Sequence, residues 1–160
     1  TLKEVSQLPE DIQKRILFDP PSKEAEIRQW LGQDFNYCPQ AGGDLGERLN
    51  NAFHDAFQGG ASQVLVIGTD TPHLRCDHLL EAFQNLDSHD VVIGPAQDGG
   101  YYLIGLNDLK TALFEDIPWS TSEVFQKTAE KIKNLDLTCF SLELLEDLDT
   151  IENMHLYESA

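Results

Sequence analysis

Positive charge is scarce in this sequence: 11 Lys and Arg stand against 28 Asp and Glu, a formal net charge of −17. Such a field repels polyanions, so no nucleic-acid partner is expected, whereas a divalent cation suits it. Most of these acids are read as simple surface solvation. Cysteine is scarce too. Cys38, Cys76 and Cys139 are odd in number and far apart, which argues against a disulfide framework and gives no paired zinc-ligand spacing; a reducing cytoplasm suits them. No apolar run comes near the roughly 18 residues that cross a bilayer, so no membrane span is expected. No cationic-then-apolar leader is visible. Repeats, low-complexity stretches and linkers are absent, and the 160 residues are read as one domain, with 41% hydrophobic residues to fill one core.

What is present is alternation. Residues 14–18 (KRILF) read as a short strand closed by Asp19-Pro20-Pro21, and Ser22 is placed to cap the helix that follows. A short strand is expected at FNYCP. The stretch 44–57 carries Leu45, Leu49, Ala52, Phe53, Ala56 and Phe57 on one helical stripe and stops at Gly59-Gly60. QVLVIG reads as a buried strand, LRCDHLLEAFQNL as a helix, and DVVIGP and YYLIGL as strands. A helix near 121–134, a strand near 137–141 and a terminal helix from about 150 complete the series. Strands alternating with helices predict an α/β fold with a mostly parallel sheet and helices on both faces. In such sheets ligands bind outside the carboxyl ends of the strands.

Four stretches carry candidate chemistry. At VLVIGTDTPHL (64–74), a buried strand ends on Thr69 and Asp70, with Pro72 forbidding further ladder pairing. Asp70 has two readings, a cap for the next helix or a magnesium ligand at a strand tip; magnesium needs few protein carboxylates. At PAQDGGYYLIGL (95–106), Asp98 precedes Gly99 and Gly100, which form a turn or admit a ligand close to the backbone. At QAGGDLGERL (40–49), Gly42 and Gly43 lead to Asp44 at a helix start, either a capped turn or an anion cradle; neither a Walker loop nor a dinucleotide fingerprint is present. Arg48 there contacts phosphate or pairs with a helix acid. At EDLDTIENM (146–154), Asp147 and Asp149 point the same way if extended.

Taken together, GGDLGERL, VIGTDTPHL, GPAQDGGYYLIGL, LFEDIPWST and DLDTIENM, in this order, resemble a family of bacterial transferases in the nucleotide-diphospho-sugar transferase superfamily, the group labelled selenium-domain or radical-SAM-associated. The resemblance runs along the whole chain. It implies a GT-A-like (Rossmann-like) three-layer sandwich in which a nucleotide diphosphate and a divalent metal, Mg2+ or Mn2+, meet at the strand ends. It implies metal ligation by Asp70 and by Asp149, with Asp147 beside it. It places Gly42, Gly43, Asp44, Arg48 and Thr69 on the nucleotide, and Gly99, Gly100 and Tyr101 on the acceptor or sugar side. Asp98 becomes the candidate to orient or deprotonate an acceptor hydroxyl.

The expected activity is metal-dependent transfer from a nucleotide-activated donor, most simply glycosyl transfer in the cytoplasm. Nucleotidyl transfer releasing pyrophosphate and a non-catalytic nucleotide-binding remnant are the alternatives. A homodimer is compatible with either. One departure matters. Members of that family begin with a strand and a Pro-x-Pro-Gly-x-x-Lys-Thr-Arg loop, and this sequence contains no such segment. The resemblance therefore predicts a vacant central position between the strands at 14–18 and 63–68. An upstream segment outside these 160 residues is the first expectation; a strand lent by another chain or a rearranged sheet are the others.

Overall fold

The computed structural model describes residues 1–33 and 35–146. Helices α1 (Leu2–Ser6), α2 (Glu24–Leu31), α3 (Leu45–Gln58), α4 (Cys76–Leu86) and α5 (Val124–Asn134) alternate with strands β1 (Arg15–Phe18), β2 (Asn36–Pro39), β3 (Val64–Ile67), β4 (Val91–Pro95), β5 (Tyr101–Leu106) and β6 (Cys139–Ser141). The expected terminal helix lies outside the described residues. Among the described residues no helix is long and apolar enough to cross a membrane.

Four strands form one sheet in the order β3-β5-β4-β6. β5 is antiparallel to both β3 and β4, and β6 is parallel to β4, so β3, β4 and β6 share a direction and only β5 is reversed. The cause is the connection over 96–100, too short for the crossover that a parallel pair requires. Along β4 and β5 side chains alternate between two cores. Val92 and Leu103 face Leu79, Ala82 and Leu86 of α4, with Leu8 after α1. Val91, Ile104 and Leu106 face Leu49 and Phe53 of α3, Phe114, and Ile132 of α5. Period-2 strands covered by helices on both faces make the three-layer α/β arrangement.

The remaining strands, β1 and β2, form a separate two-stranded parallel sheet. Helix α3 ties the two sheets together. Its Arg48 donates to Gln40 Oε1 (2.8 Å) and Asp19 Oδ2 (3.3 Å), and Asn51 donates to the Ala41 carbonyl (3.0 Å), while Phe53 and Phe57 pack with Val64 and Val66 of β3. Among the described residues β1 does not pair with β3, and the outer edge of β3 is open. A direct ladder there would have removed the vacancy expected from the sequence.

Two close fits fix the sheet. A Cβ on Gly94 would lie 2.4 to 2.9 Å from atoms of the Tyr102 ring, whose hydroxyl donates to the Glu143 carbonyl (3.1 Å). A Cβ on Gly105 would meet the Leu65 Cδ2 methyl at 2.5 Å. The first obstacle is a buried ring and the second the end of a flexible side chain. Gly94→Ala is expected to cost about 1–3 kcal/mol by overpacking, and Gly105→Ala less, as measured by urea unfolding. A larger loss for Gly105→Ala would contradict this packing.

At the far end of β4, Asp90 clamps β6. Its Oδ2 accepts from the Thr138 hydroxyl (2.7 Å) and amide (2.9 Å), and its own amide donates to Thr138 Oγ1 (2.9 Å). The Thr138 hydroxyl, then its amide, hold the Asp90 carboxyl below the ordinary carboxylate range. A depressed native value stabilises the fold above the unfolded value, and the gain disappears as pH falls through the native one. Asp90→Asn should therefore lower the melting temperature at neutral pH and flatten its acid dependence below about pH 4. Identical pH profiles for the two proteins would dismiss the clamp.

Candidate functional site

Because β3, β4 and β6 run the same way, their carboxyl ends emerge at one edge of the sheet, where β5 begins. After β3 the Gly68 amide makes one more bond, to the Tyr102 carbonyl (2.9 Å), and the chain then leaves the sheet through Thr69 and Asp70. Asp70 is exposed, and the Thr69 hydroxyl donates to its Oδ1 (3.0 Å). The Thr69 carbonyl accepts from the Thr1 hydroxyl (3.0 Å). The capping reading of Asp70 does not hold. Helix α4 starts at Cys76 with Arg75 at the N-cap position, and the Cys76 amide donates to Glu4 Oε2 (3.0 Å). With the helix start served by Glu4 of α1, Asp70 is left free for other chemistry.

The turn between β4 and β5 sits at the same edge. Asp98 Oδ1 accepts from the Gly100 amide (2.7 Å), so part of the carboxylate shapes its own turn. Gly99 has φ +90°, and a Cβ there would overlap the Ser122 backbone; its carbonyl accepts from the Phe125 amide (2.9 Å). This glycine is required both by the left-handed backbone and by the close approach. The Tyr101 ring stands edge-on to Trp119 (centroids 6.4 Å, 83°). Its hydroxyl is buried near Thr128; burial pushes its pKa up, opposed in part by the Thr128 hydroxyl. Tyr101 thus offers the site a ring wall, not a hydroxyl.

The glycine loop before α3 is a capped turn. Asp44 Oδ1 accepts from the Glu47 amide (2.8 Å), and Glu47 Oε2 reaches back to the Gly43 amide (2.6 Å), while Gly42 has φ +115°. In this state Gly43 and Asp44 are engaged within the cap. Arg48 pairs with an acid, as one of its two readings had it, but with Asp19 after β1 and not with a helix acid. This loop approaches the rest of the site through Trp119. A Cβ on Gly46 would come within 2.6 Å of Trp119 Nε1 and the Phe114 carbonyl.

Trp119, quoted within LFEDIPWST but given no role there, joins the start of α3 to the start of β5. One signal was available. A glycine inside a helix costs about 1 kcal/mol against Ala, so Gly46 in the first turn of α3 implied a close neighbour. Ser120, with φ 62°, re-aims the chain directly after Trp119.

For a metal, one exposed strand-end carboxylate fits an ion that takes one or two protein carboxylates and completes its shell with water and phosphate oxygens. Asp70 is that carboxylate; Asp147 and Asp149 lie outside the described residues. Among the described residues no three His, Cys, Asp or Glu side chains gather as a metal cluster. Leu145 and Glu146 run along the site edge. Leu145 bridges Ala96, its carbonyl accepts from the Gln97 amide (3.1 Å), and Gln97 Nε2 donates to Glu146 Oε1 (3.1 Å).

Gly46→Ala should push Trp119 outward without unfolding the chain. In a Trp30→Phe background, which removes the other, largely exposed tryptophan (81% exposed), emission should shift to longer wavelength and iodide quenching should rise. An unchanged spectrum would show that the α3–Trp119 contact does not exist in solution.

No curated protein matches the chain. A solved structure from Desulfovibrio desulfuricans G20, described as a "putative nucleotide-diphospho-sugar transferase", is 32% identical over 99% of this chain and 70% of that one, with a TM-score of 0.90. CMP:2-keto-3-deoxy-manno-octonic acid synthetase complexed with CTP superposes with a TM-score of 0.64 over 96% of this chain and 82% of that one; at 11% identity the likeness is one of fold. Residues 1–121 match the family DUF2064, described as an uncharacterized protein conserved in bacteria. The chain therefore belongs to the DUF2064 family, within the nucleotide-diphospho-sugar transferase superfamily.

Proposed function

We propose that this protein is a metal-dependent transferase that takes a nucleotide-activated donor and transfers its glycosyl group to an acceptor hydroxyl. The observation that carries the reading is the meeting at one sheet edge of the Asp70 tip and the Asp98–Tyr101 turn, with residues 142–146 running beside them, in a chain of this superfamily.

In this reading Asp70, together with Asp149, holds Mg2+ or Mn2+, which when bound neutralises charge developing on the leaving diphosphate. Thr69 steadies the Asp70 carboxylate by its hydrogen bond. The loop from Gly42 to Asp44 approaches the nucleotide, with Arg48 behind it. Gly99 and Gly100 let the acceptor come close to the backbone against the Tyr101 ring. Asp98, held by the Gly100 amide, orients the acceptor hydroxyl or receives its proton. An intracellular setting and a small-molecule donor and acceptor belong to the same proposal.

Product analysis with nucleotide sugars and Mn2+ tests the reaction. Free nucleoside diphosphate is the expected product; pyrophosphate, released from a nucleoside triphosphate, would replace glycosyl by nucleotidyl transfer. Nucleotide binding without turnover would leave the non-catalytic nucleotide-binding reading, and the absence of both would remove all three. Asp70→Asn should leave the metal-free melting temperature unchanged, because the exposed carboxylate caps no helix and its loss relieves repulsion in an acid-rich chain. The same change should weaken Mn2+-dependent nucleotide binding by roughly tenfold or more, about 1.4 kcal/mol. A marked fall in metal-free stability, or unaltered metal-dependent binding, would remove Asp70 from the metal.

A further inference from the structure

Almost every cation described in this acidic chain is engaged. Lys23, Arg28, Arg48, Lys110 and Lys127 sit against carboxylates. Lys14 donates to the Leu8 carbonyl and Arg15 to Gln13 Oε1. Lys131 and Lys133 lie in the last turn of α5, where the helix dipole favours positive charge. Lys3 and Arg75 differ. Neither has a carboxylate partner among the described residues, and although Lys3, like Lys131 and Lys133, lies in the last turn of its helix, it and Arg75 line one cleft of about 740 Å3, Lys3 from α1 and Arg75 from the start of α4.

Pro72 and Leu74 form the apolar part of its wall. Glu4 also lines it, but its Oε2 is engaged by the Cys76 amide, so its charge is directed to the start of α4. Two cations and one carboxylate leave this cleft with a net positive charge in a chain of net charge −17, and that local field favours an anion. A guanidinium and an ammonium on the wall of one cleft suit phosphate, the first through its paired donors and the second as a point charge. The cleft shares its wall with the strand-end loop: Pro72 follows Asp70 by two positions.

We propose that the Lys3–Arg75 cleft is a phosphate-binding site, taking the phosphate group of a phosphorylated small-molecule substrate whose other end reaches the Asp70 loop. The identification of that molecule as substrate rests on the transferase reading; the phosphate site itself does not.

The test is titration of the whole chain with inorganic phosphate, pyrophosphate and glucose 1-phosphate in metal-free buffer at constant ionic strength, followed by calorimetry and amide NMR. Binding of phosphate-bearing probes, with shifts at residues 3–7 and 72–76, is expected. Lys3→Gln with Arg75→Gln should weaken it roughly tenfold or more. Arg75→Lys should recover part of the loss, and Lys131→Gln with Lys133→Gln should change nothing. Thermal melts establish that each variant is folded. Tighter binding of glucose 1-phosphate than of inorganic phosphate supports a substrate, whereas equal affinity restricts the site to free phosphate and overturns the substrate assignment. Absence of binding, or equal binding by the double variant, overturns the site. Should Mn2+-dependent nucleotide binding then still respond to Asp70→Asn, the transferase reading survives that failure; should Asp70→Asn have no effect while the cleft binds phosphate, the reverse holds.

Discussion

Strand β5 is hydrogen-bonded along both of its edges, and the rest of the architecture is arranged around that constraint. Leu103 and Leu106 are fully buried, and Ile104 nearly so. A strand clamped on both edges and covered on both faces has no freedom to shift by one residue, since a slip would carry its apolar side chains to the wrong layer. The Gly94 and Gly105 positions make room for Tyr102 and Leu65 against it. Its first residue, Tyr101, then fixes the Asp98 turn on one side, and the Tyr102 carbonyl fixes Gly68, and so the exit to Asp70, on the other. Two loops that carry candidate chemistry are thus referenced to the same short piece of rigid backbone.

The local signals were readable where a few neighbouring residues decide the outcome. The apolar run before Gly68, the stripe from Leu49 to Phe57 and the Asp44 cap all depend on contacts within one or two turns, and each is found in the fold. Ser22 was misjudged for the same reason that it looked attractive. Pro21 opens a 3-10 turn over Pro21–Lys23, so α2 begins at Glu24 with Lys23 at its N-cap position. The reversal of β5 was not visible in its own residues, because a run such as YYLIGL is equally suited to either direction. Only the shortness of the turn before it carries that information. Trp119 was hidden because its partners, Gly46 and Tyr101, lie far away in the sequence.

Electrostatics ties these parts together differently from packing. With 28 acids to 11 bases, most Lys and Arg ion pairs among the described residues are local, and one cation, Arg48, joins segments distant in sequence. Arg48 links α3 to the loop after β1, and a neutral counterpart, Asn51, does the same for Ala41. Glu4 shows the opposite economy: one acid, placed at the start of α4, holds α1 on the face that supports Asp70. What remains unengaged stands out against such a background.

The reversed strand has a further consequence, in the entropy of ordering the chain. Pro95 pairs with Tyr101 only six positions on, whereas Ile67 pairs with Leu103 after 36 and Val91 with Cys139 after 48. The entropy lost in closing a loop grows with its length, so the hairpin that contains Asp98, Gly99 and Gly100 is the least expensive pairing of the sheet to form. β3 and β6 close much longer loops onto it. The turn at the candidate site is therefore not an ornament added to a finished sheet; it is the short tether that makes the sheet's longer closures worthwhile.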